Sequence, residues 1–458
     1  MKILLINPYQ TSRKGNIWTN IQGAMPPLGL AYIASFLESK GLDAEILDMN
    51  IEPGDAAEQV ARINTNPDII GITSMTSAVM HGYAIAEECK KKFPEAKIVF
   101  GGVHATVLPE DVLSRAYVDY VFRGEGEYSF YNFLKGDDIR SIPGLSYRKN
   151  GKFVHNPDSC LIADLDTLPP PAYKKLKVHK YSPTLGSYKR LPAISMLATR
   201  GCPGKCIYCF GSFLGGKVRM HTVDYLIAEI KMLIKDYGIK EILFYDDTFT
   251  VYRDKVRDFC GKILENKMDI TWVCFSRVDT IDEETLRLMK KSGCHQIMYG
   301  IESGSTEILK NIDKRIDLAK AVNAVKITKK AGIECRASFM LGNPGETEST
   351  IMETIKFAIK LDPDIALFNV STPFPGTRMF KWAKENNYLR SEDWSKYDFS
   401  NMLMELPTIS PAKIEEYYKK VFKMFYYRPS YLMKRLLKLR SFNDIKTAFR
   451  ALIAVFNF

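Results

Sequence analysis

Three cysteines on one short stretch are the residues of this chain with the clearest chemical potential. Cys202, Cys206 and Cys209 have the spacing C-x3-C-x2-C, and Tyr208 stands immediately before the third cysteine. Cysteine thiolates ligate zinc and also hold iron–sulfur clusters. A structural zinc site needs a fourth ligand, usually from a second C-x2-C or H-x3-H pair, and the sequence has no such pair. The spacing therefore favours an iron–sulfur cluster, with half of a zinc site as the alternative.

The other cysteines stand singly, at positions 89, 160, 260, 274, 294 and 335. An odd total of nine, in a long chain that does not begin with a secretory signal, argues against a disulfide framework. We predict Cys294 and Cys335 to be buried, inert thiols. The first apolar run is too short for a signal peptide, and no run of about 18 uncharged apolar residues predicts a membrane-spanning helix. We therefore expect a cytoplasmic protein.

Six apolar, strand-like runs alternate with helical segments in residues 191–390. They cover 193–199, 241–246, 271–275, 296–300, 333–340 and 365–370, and predict an incomplete, (β/α)6 TIM-like barrel. Functional groups of such barrels lie at the C-terminal ends of the strands. The polar residues and glycines that follow these runs are Asp246, Asp247, Arg277, Glu302, Ser303, Gly342 and Gly345. For any one of them, a helix cap or a turn is the alternative role.

Residues 1–135 alternate short apolar runs with helical patterns, which predicts a doubly wound, Rossmann-like parallel sheet. Strands are predicted at 2–6, 44–48, 68–73, 97–101 and 119–122, and helices at 27–40, 56–65, 78–93 and 109–115. Ligands of such sheets bind beyond the carboxyl ends of the strands. Small or polar residues there would let a large, flat ligand approach the backbone: Ser74, Thr76, Gly101, Gly102, His104, Gly124 and Glu125. A flavodoxin-like domain with another ligand, or with none, is the alternative.

The cysteine spacing with its preceding aromatic residue resembles the signature of the radical S-adenosylmethionine (SAM) superfamily. The loops in front of it, with the run Pro26-Pro27-Leu28-Gly29-Leu30, look like the cobalamin-binding domain that precedes many radical SAM domains. The resemblance implies a 4Fe–4S cluster on the three cysteines, with SAM bound to the fourth iron. It implies SAM contacts from Tyr208, Asp246, Asp247, Arg277, Glu302, Ser303, Gly342 and Gly345. It implies cobalamin contacts from Ser74, Thr76, Gly101, Gly102, His104, Gly124 and Glu125.

The chain departs from some cobalamin enzymes in one respect. The D-x-H-x-x-G motif, which supplies a lower axial histidine, is absent, because neither His81 nor His104 has an aspartate two residues earlier. We therefore expect a bound cobalt to lack this histidine ligand and His104 to be a residue of the loop.

The chemistry that the resemblance implies is methylation of an unactivated carbon through a 5′-deoxyadenosyl radical. The expected substrate is a small hydrophobic molecule, lipid-like or tetrapyrrole-like, and the expected electron donor is a protein such as flavodoxin or ferredoxin. A radical cyclase, as in the anaerobic Mg-protoporphyrin monomethyl ester cyclase, is the alternative. A cobalamin and iron–sulfur carrier or sensor is the alternative of another class. A methylthiotransferase is disfavoured, because residues 1–190 contain only Cys89 and Cys160 where three further cluster cysteines are needed.

The remaining segments are a proline-rich linker at 136–190 and an extension at 391–458. Trp394, Tyr397, Phe399 and the segment Met402–Met404 are predicted to cover the open side of the barrel. Residues 419–450 hold ten Lys and Arg and one acid, so most of the net charge of +11 lies in this tail. A basic amphipathic helix with aromatic residues can bind an anionic membrane surface, or it can pack on the body and expose a solvated basic face. Nucleic-acid binding is disfavoured, since no RNA-binding module accompanies the charge.

Overall fold

The chain forms two compact units that do not follow a single cut in the sequence. We describe it from a computed structural model, with residues 1–9, 23–52, 54–184, 186–212 and 216–437 described. Of the described residues, the first unit contains 1–9, 24–181 and 393–396, and the second contains 23, 182–392 and 397–437. Among the described residues, no helix combines the length and the apolar character that crossing a bilayer requires.

The first unit is the predicted doubly wound domain. Its sheet has the order β2-β1-β3-β4-β5-β6-β7, and β1 to β5 are parallel. The strands are β1 (Ile3–Asn7), β2 (Ala44–Asp48), β3 (Ile69–Thr73), β4 (Lys97–Gly101), β5 (Tyr120–Phe122), β6 (Leu145–Lys149) and β7 (Lys152–His155). The helices are α1 (Leu28–Ser39), α2 (Ala56–Ala61), α3 (Val79–Lys92), α4 (Val103–Val107), α5 (Pro109–Leu113) and α6 (Glu127–Lys135). The apolar runs form strands because helices cover both faces of a parallel sheet and bury successive side chains.

The stretch predicted as a linker contributes to this sheet. β5 and β6 pair antiparallel, and β6 and β7 form a hairpin. The turn of the hairpin is Asn150-Gly151, and both residues have positive φ, of 51° and 75°. This conformation suits Asn and Gly, which gives the hairpin its local signal.

The second unit is the predicted partial barrel. Its six parallel strands have the order β15-β14-β13-β12-β11-β8. They are β8 (Ala193–Met196), β11 (Glu241–Phe244), β12 (Thr271–Ser276), β13 (Cys294–Glu302), β14 (Glu334–Leu341) and β15 (Ile365–Val370), with the short β9 (Thr199–Arg200) and β10 (Arg219–Met220) apart. The helices are α7 (Val223–Tyr237), α8 (Arg253–Glu265), α9 (Glu283–Lys291), α10 (Thr306–Asn311), α11 (Leu318–Lys330), α12 (Glu348–Leu361), α13 (Arg378–Glu385), α14 (Pro411–Tyr426) and α15 (Pro429–Leu436). The fold class expected from the sequence is confirmed.

Helix α14 belongs to the basic tail, and its apolar side packs on the barrel. Phe422 and Phe425 are buried against Phe368 of β15, with ring centroids 5.6 and 6.1 Å apart. Lys419, Lys420 and Lys423 remain exposed. The basic residues from position 438 onward lie outside the described residues, so the predicted membrane contact of that part of the tail stays a prediction.

Candidate functional site

The cysteine loop begins where β8 ends, at the C-terminal edge of the barrel strands. β9 and β10 pair antiparallel and close the base of the loop. Gly201, at φ 101°, lies between them, and a Cβ at this position would stand 2.2 Å from the carbonyl oxygen of Lys217. Only glycine fits here, because both the backbone conformation and the close approach exclude a side chain. The backbone conformation directly before Cys202 is therefore fixed.

The loop leaves room around its three thiols. A Cβ on Gly204 would lie 3.4 Å from Sγ of Cys202 and 3.7 Å from Sγ of Cys206. A Cβ on Gly211 would lie 3.5 Å from Sγ of Cys209. The backbone N–H groups of Gly204 and Gly211 each donate to a cysteine sulfur, at 3.4 Å. The two glycines leave the sulfur atoms uncovered by side chains, and their amides stabilise negative charge on the thiolates. Both features fit a bound iron–sulfur cluster.

The thiol of Cys209 is held in the neutral form while it is unligated. Burial raises its pKa to about 11, and the neighbouring Asp247, Cys206 and Cys202 act in the same direction. A bound iron would therefore have to displace a proton. Among the described residues, no three His, Cys, Asp or Glu side chains are already placed to hold a single ion.

The two aspartates after β11 face different surroundings. Asp246 is buried and accepts a hydrogen bond from the backbone N–H of Thr199, so it ties β11 to the start of the cysteine loop. Burial raises the pKa of Asp246 to about 7, and its Oδ2 has no hydrogen-bond partner. Asp247 is exposed, and its Oδ2 would lie 3.7 Å from a Cβ on Gly211. Asp247, rather than Asp246, is therefore accessible to a ligand bound beside the thiols.

Charged groups from two other strand ends lie beside the loop. Arg277 follows β12, donates to both carboxylate oxygens of Asp279 at 3.0 and 2.9 Å, and places Nη1 3.4 Å from a Cβ on Gly204. Glu302 ends β13 at φ 73° and accepts from Nζ of Lys314 at 3.1 Å. The same Nζ donates to the hydroxyl of Tyr208 at 3.2 Å.

Lys314 was not among the predicted site residues, because it follows a short helix rather than a strand end. A lysine in a loop carries no signal of burial, and only the structure shows that its side chain is 9% exposed. Together, the charged groups next to the cysteine loop can bind the amino and carboxylate groups of an amino-acid ligand.

The glycine-rich segment after β14 is organised by a buried carboxylate. Oε2 of Glu346 accepts from the backbone N–H groups of Gly342 and Asn343, both at 3.0 Å. Gly342 and Gly345 have φ of 86° and 81°, which glycine adopts without strain. Ser303, in contrast, is buried against Thr354 of α12, with 3.0 Å between the hydroxyl oxygens, and is engaged in helix packing.

In the first unit, the predicted cobalamin residues gather at the carboxyl edge of the sheet. The backbone of Ser74 bonds to Gly101, and a Cβ on Gly102 would stand 2.7 Å from the carbonyl oxygen of Ser74. Gly124 donates to Oγ1 of Thr106 at 3.0 Å, and Glu125 accepts from the backbone N–H of Ile162 at 2.7 Å. Gly102 is thus required by the close approach of Ser74, whereas Gly101 is partly exposed and Gly124 is exposed, so backbone at these two positions can contact a large planar ligand.

His104 is an interior residue of this edge. Its Nδ1 lies 3.2 Å from Oγ1 of Thr76, and its Nε2 lies 3.2 Å from Oδ2 of Asp111. The ring of Trp394 stands over it at 5.3 Å and 74°. Both ring nitrogens are therefore engaged, and the ring is fully buried. Trp394 packs on the first unit, as part of the segment Asp393–Lys396. That it also covers the open side of the barrel stays a prediction.

Comparisons with known proteins agree on both units. The profile of the Radical SAM superfamily matches residues 196–358, and that of the B12 binding domain matches residues 17–134. The uncharacterized methyltransferase PH0819 of Pyrococcus horikoshii is 38% identical over 465 residues, covering 100% of this chain and 99% of the relative. The anaerobic magnesium-protoporphyrin IX monomethyl ester cyclase of Rubrivivax gelatinosus is 27% identical, over 94% of this chain and 78% of the relative. The cobalamin-dependent SAM radical enzyme OxsB has a similar fold, with a TM-score of 0.75 over 99% of this chain and 72% of that one, at 17% identity.

Proposed function

We propose, because the chain belongs to the family of radical SAM proteins that carry a B12 binding domain, that it methylates an unactivated carbon of a small hydrophobic substrate. The chain is a cobalamin-dependent radical SAM enzyme, and its cofactors are a 4Fe–4S cluster, SAM and cobalamin. The observation that supports methyl transfer is the full-length similarity, at 38% identity, to a protein named as a methyltransferase.

When bound, these cofactors supply the electron that cleaves SAM and the methyl group that is transferred. Residues of the chain bind these cofactors and compensate their charge. Cys202, Cys206 and Cys209 bind the cluster, and the amides of Gly204 and Gly211 stabilise negative charge on the sulfurs. The guanidinium of Arg277 lies on the same side and opposes the accumulated thiolate charge.

Binding of SAM draws on the carboxylates and the ammonium group near the loop. Asp247 and Glu302 can accept hydrogen bonds from the amino group of SAM, and Lys314 can donate to its carboxylate. Charge-assisted bonds of this kind fix orientation, which decides where a reactive group is released. A small donor protein such as flavodoxin or ferredoxin would first deliver that electron to the cluster.

A radical cyclase is the second candidate. It is favoured by the similarity, over 94% of this chain, to a protein named as an anaerobic cyclase. The two reactions share SAM cleavage and differ in what the product gains. Methylation adds a carbon to the substrate, whereas oxidative ring closure removes hydrogen and adds none.

The test uses anaerobically reconstituted enzyme and SAM that carries a deuterated methyl group. We expect about four irons and one cobalamin per chain, formation of 5′-deoxyadenosine, and deuterated methyl in a product from a lipid or tetrapyrrole extract. A Cys202→Ala/Cys206→Ala/Cys209→Ala variant is the matched control and should lose iron and SAM cleavage. A product of lower hydrogen content without label would identify the cyclase, and loaded enzyme that never forms 5′-deoxyadenosine would contradict both reactions.

A further inference from the structure

The strands of the barrel unit turn alternate side chains to the helices and to the interior of the half-barrel. Phe339 and Phe368 stack at 5.4 Å, and Phe368 contacts Phe422 of α14, so this set faces the helices. The intervening residues of β15, such as Leu367, are only partly buried although β14 flanks their strand. The side chains of the second set therefore line an accessible interior surface, which we call the inner face.

The register of the strands places Arg336 on the inner face, as the third residue of β14 and next to the edge strand β15. Arg336 pairs with Met298 of β13 on one side and with Ile365 of β15 on the other, and Met298 pairs with Phe275 of β12. Side chains of paired residues in a parallel sheet point to the same face. Across the adjacent strands Arg336 therefore faces the apolar Met298 and Ile365, whereas its polar neighbours on the same face, Glu334 and Ser338, belong to its own strand.

The guanidinium of Arg336 lacks the partners that burial demands. The residue is 8% exposed, its Nη1 donates to the neutral amide oxygen of Gln296 at 3.3 Å, and its Nε has no acceptor. A buried charge without a counter-ion is strongly unfavourable. Burial lowers the pKa of Arg336, the direction expected when its charge is incompletely compensated.

The carboxylate that acts on Arg336 electrostatically is already engaged elsewhere. Glu334 accepts from Arg435 of α15 at 3.0 Å through Oε1 and from Gln296 at 2.9 Å through Oε2. The other groups that bear on the guanidinium are the neutral phenols of Tyr245 and Tyr426. One buried cation on the inner face is consequently left for a ligand to neutralise.

An aromatic surface accompanies this cation. The rings of Tyr245 and Phe275 stack at 5.5 Å with 17° between their planes, and both residues are partly exposed. Such a pair offers a flat, apolar contact for a ring system or an acyl chain. A molecule that uses both features has an apolar body and one anionic group.

We propose that Arg336 binds an anionic group of the substrate, a carboxylate or a phosphate-type group, while the apolar body of the substrate lies against Tyr245 and Phe275. Guanidinium groups suit this role because their planar fork matches both anions in a bidentate way. The inference rests on the proposed function, since it names the substrate class of that enzyme. The inference restricts the substrate class from hydrophobic molecules in general to those that carry a carboxylate or a phosphate-type group.

The experiment compares matched probes by isothermal titration calorimetry on the reconstituted holoenzyme, with S-adenosylhomocysteine present to occupy the SAM site. The probes are 2-naphthoate, 2-naphthyl phosphate and the neutral 2-naphthamide. We expect the better anion to bind at least about tenfold more tightly than the amide, as loss of a charged hydrogen bond implies. Comparing the two anions tells a carboxylate substrate from a phosphorylated one.

Arg336→Gln should abolish the preference for the anion, and Arg336→Lys should keep part of it. Arg287→Gln is the matched control, because it removes an exposed arginine of α9 that bonds to the backbone of Glu283 and contacts neither Glu334 nor the inner face, so the preference for the anion should survive it. Equal binding of amide and anion, no binding of either anion, or a preference that survives Arg336→Gln would each overturn the inference.

Iron content and 5′-deoxyadenosine formation, measured on the same samples, keep this result separate from the proposed function. Anion preference without label transfer would leave Arg336 assigned and reject methylation. Transfer of the deuterated methyl group without a preference for the anion would support methylation and reject the role of Arg336. A variant that retains its iron and its SAM cleavage is folded, so a loss of preference there is a loss of recognition.

Discussion

At the scale of single residues, the buried pair of Glu302 and Lys314 is the interaction beside the cysteine loop whose loss should matter most for stability. Each side chain is 9% exposed, and Nζ lies 3.1 Å from Oε1. Removing one partner of such a pair leaves an uncompensated buried charge, at about 3–5 kcal/mol. We therefore expect Lys314→Met to lower the free energy of unfolding by about 3 kcal/mol, measured by urea unfolding of the apo-protein.

The double variant Glu302→Gln/Lys314→Met is the control for this prediction. It removes both charges, so it should recover most of the loss, because a neutral pair requires no counter-ion. Equal destabilisation of the single and the double variant would mean that Lys314 acts through packing rather than through its charge.

Glu346 should make the stability of the chain depend on pH. Burial raises its pKa to about 7, from 4.5 in the unfolded chain, although amides of Asn343 and Gly342 and the hydroxyl of Thr350 act in the opposite direction. The folded protein therefore keeps the proton to higher pH than the unfolded chain does. This contribution to stability is fully present below pH 4.5 and is lost as the pH rises through about 7.

Glu346→Gln cannot titrate and keeps an acceptor for both backbone amides. We expect the variant to gain about 3 kcal/mol relative to the natural protein as the pH rises from about 4.5 to about 7. Urea midpoints of the two proteins across this range measure the difference, and the raised pKa of Asp246 cancels because both proteins contain that residue. Parallel pH profiles would show that Glu346 titrates normally.

At the scale of elements, the sequence predicts the strands well and the contacts of individual site residues less well. The bounds predicted for β2, β4 and β15 are those found, because each is a short segment in which apolar residues predominate and which polar or turn-forming residues delimit. The helices α4 and α6 were not predicted. β13 runs past its expected end, through a register shift between Gly300 and Glu302. Such a shift turns Ser303 toward α12 and leaves no trace in the periodicity of the sequence.

The turn between β14 and α12 should tolerate no side chain at Gly342. Its φ of 86° favours glycine, and a Cβ would stand 2.7 Å from Sδ of Met402 and 3.2 Å from Cγ2 of Ile414. We expect Gly342→Ala to destabilise the apo-protein by at least about 1–2 kcal/mol, from backbone strain alone. Thermal unfolding of the apo-protein provides the measurement.

The matched control for this turn is Gly261→Ala in α8. No atom lies within 4 Å of a Cβ at Gly261, and the residue is helical. Alanine should therefore stabilise the protein by about 0.5–1 kcal/mol. The same sign for both substitutions would contradict the conformational argument.

At the scale of the whole molecule, the order of the domains follows from the sequence, but the interleaving of the units does not. Apolar periodicity and the cysteine motif divide the chain into a doubly wound part and a barrel part. Asp393–Lys396 nevertheless belongs to the first unit. A segment of four residues is too short to show a helical or strand periodicity. Burial of its tryptophan ring is equally favourable in the core of either unit, so the sequence does not indicate which unit the segment joins.

Trp394 should therefore stabilise the first unit, although it stands more than two hundred residues beyond the rest of it. The side chain is 7% exposed and contacts the ring of His104. Trp394→Ala removes this contact and opens a cavity, at about 3 kcal/mol. We expect hydrogen exchange to accelerate in peptides covering residues 74–115 and to stay unchanged in those covering 271–302. Trp272→Ala, in the barrel core among Phe244, Phe249 and Phe259, should give the opposite pattern. Equal acceleration of both regions in the Trp394 variant would mean that the two units unfold as one.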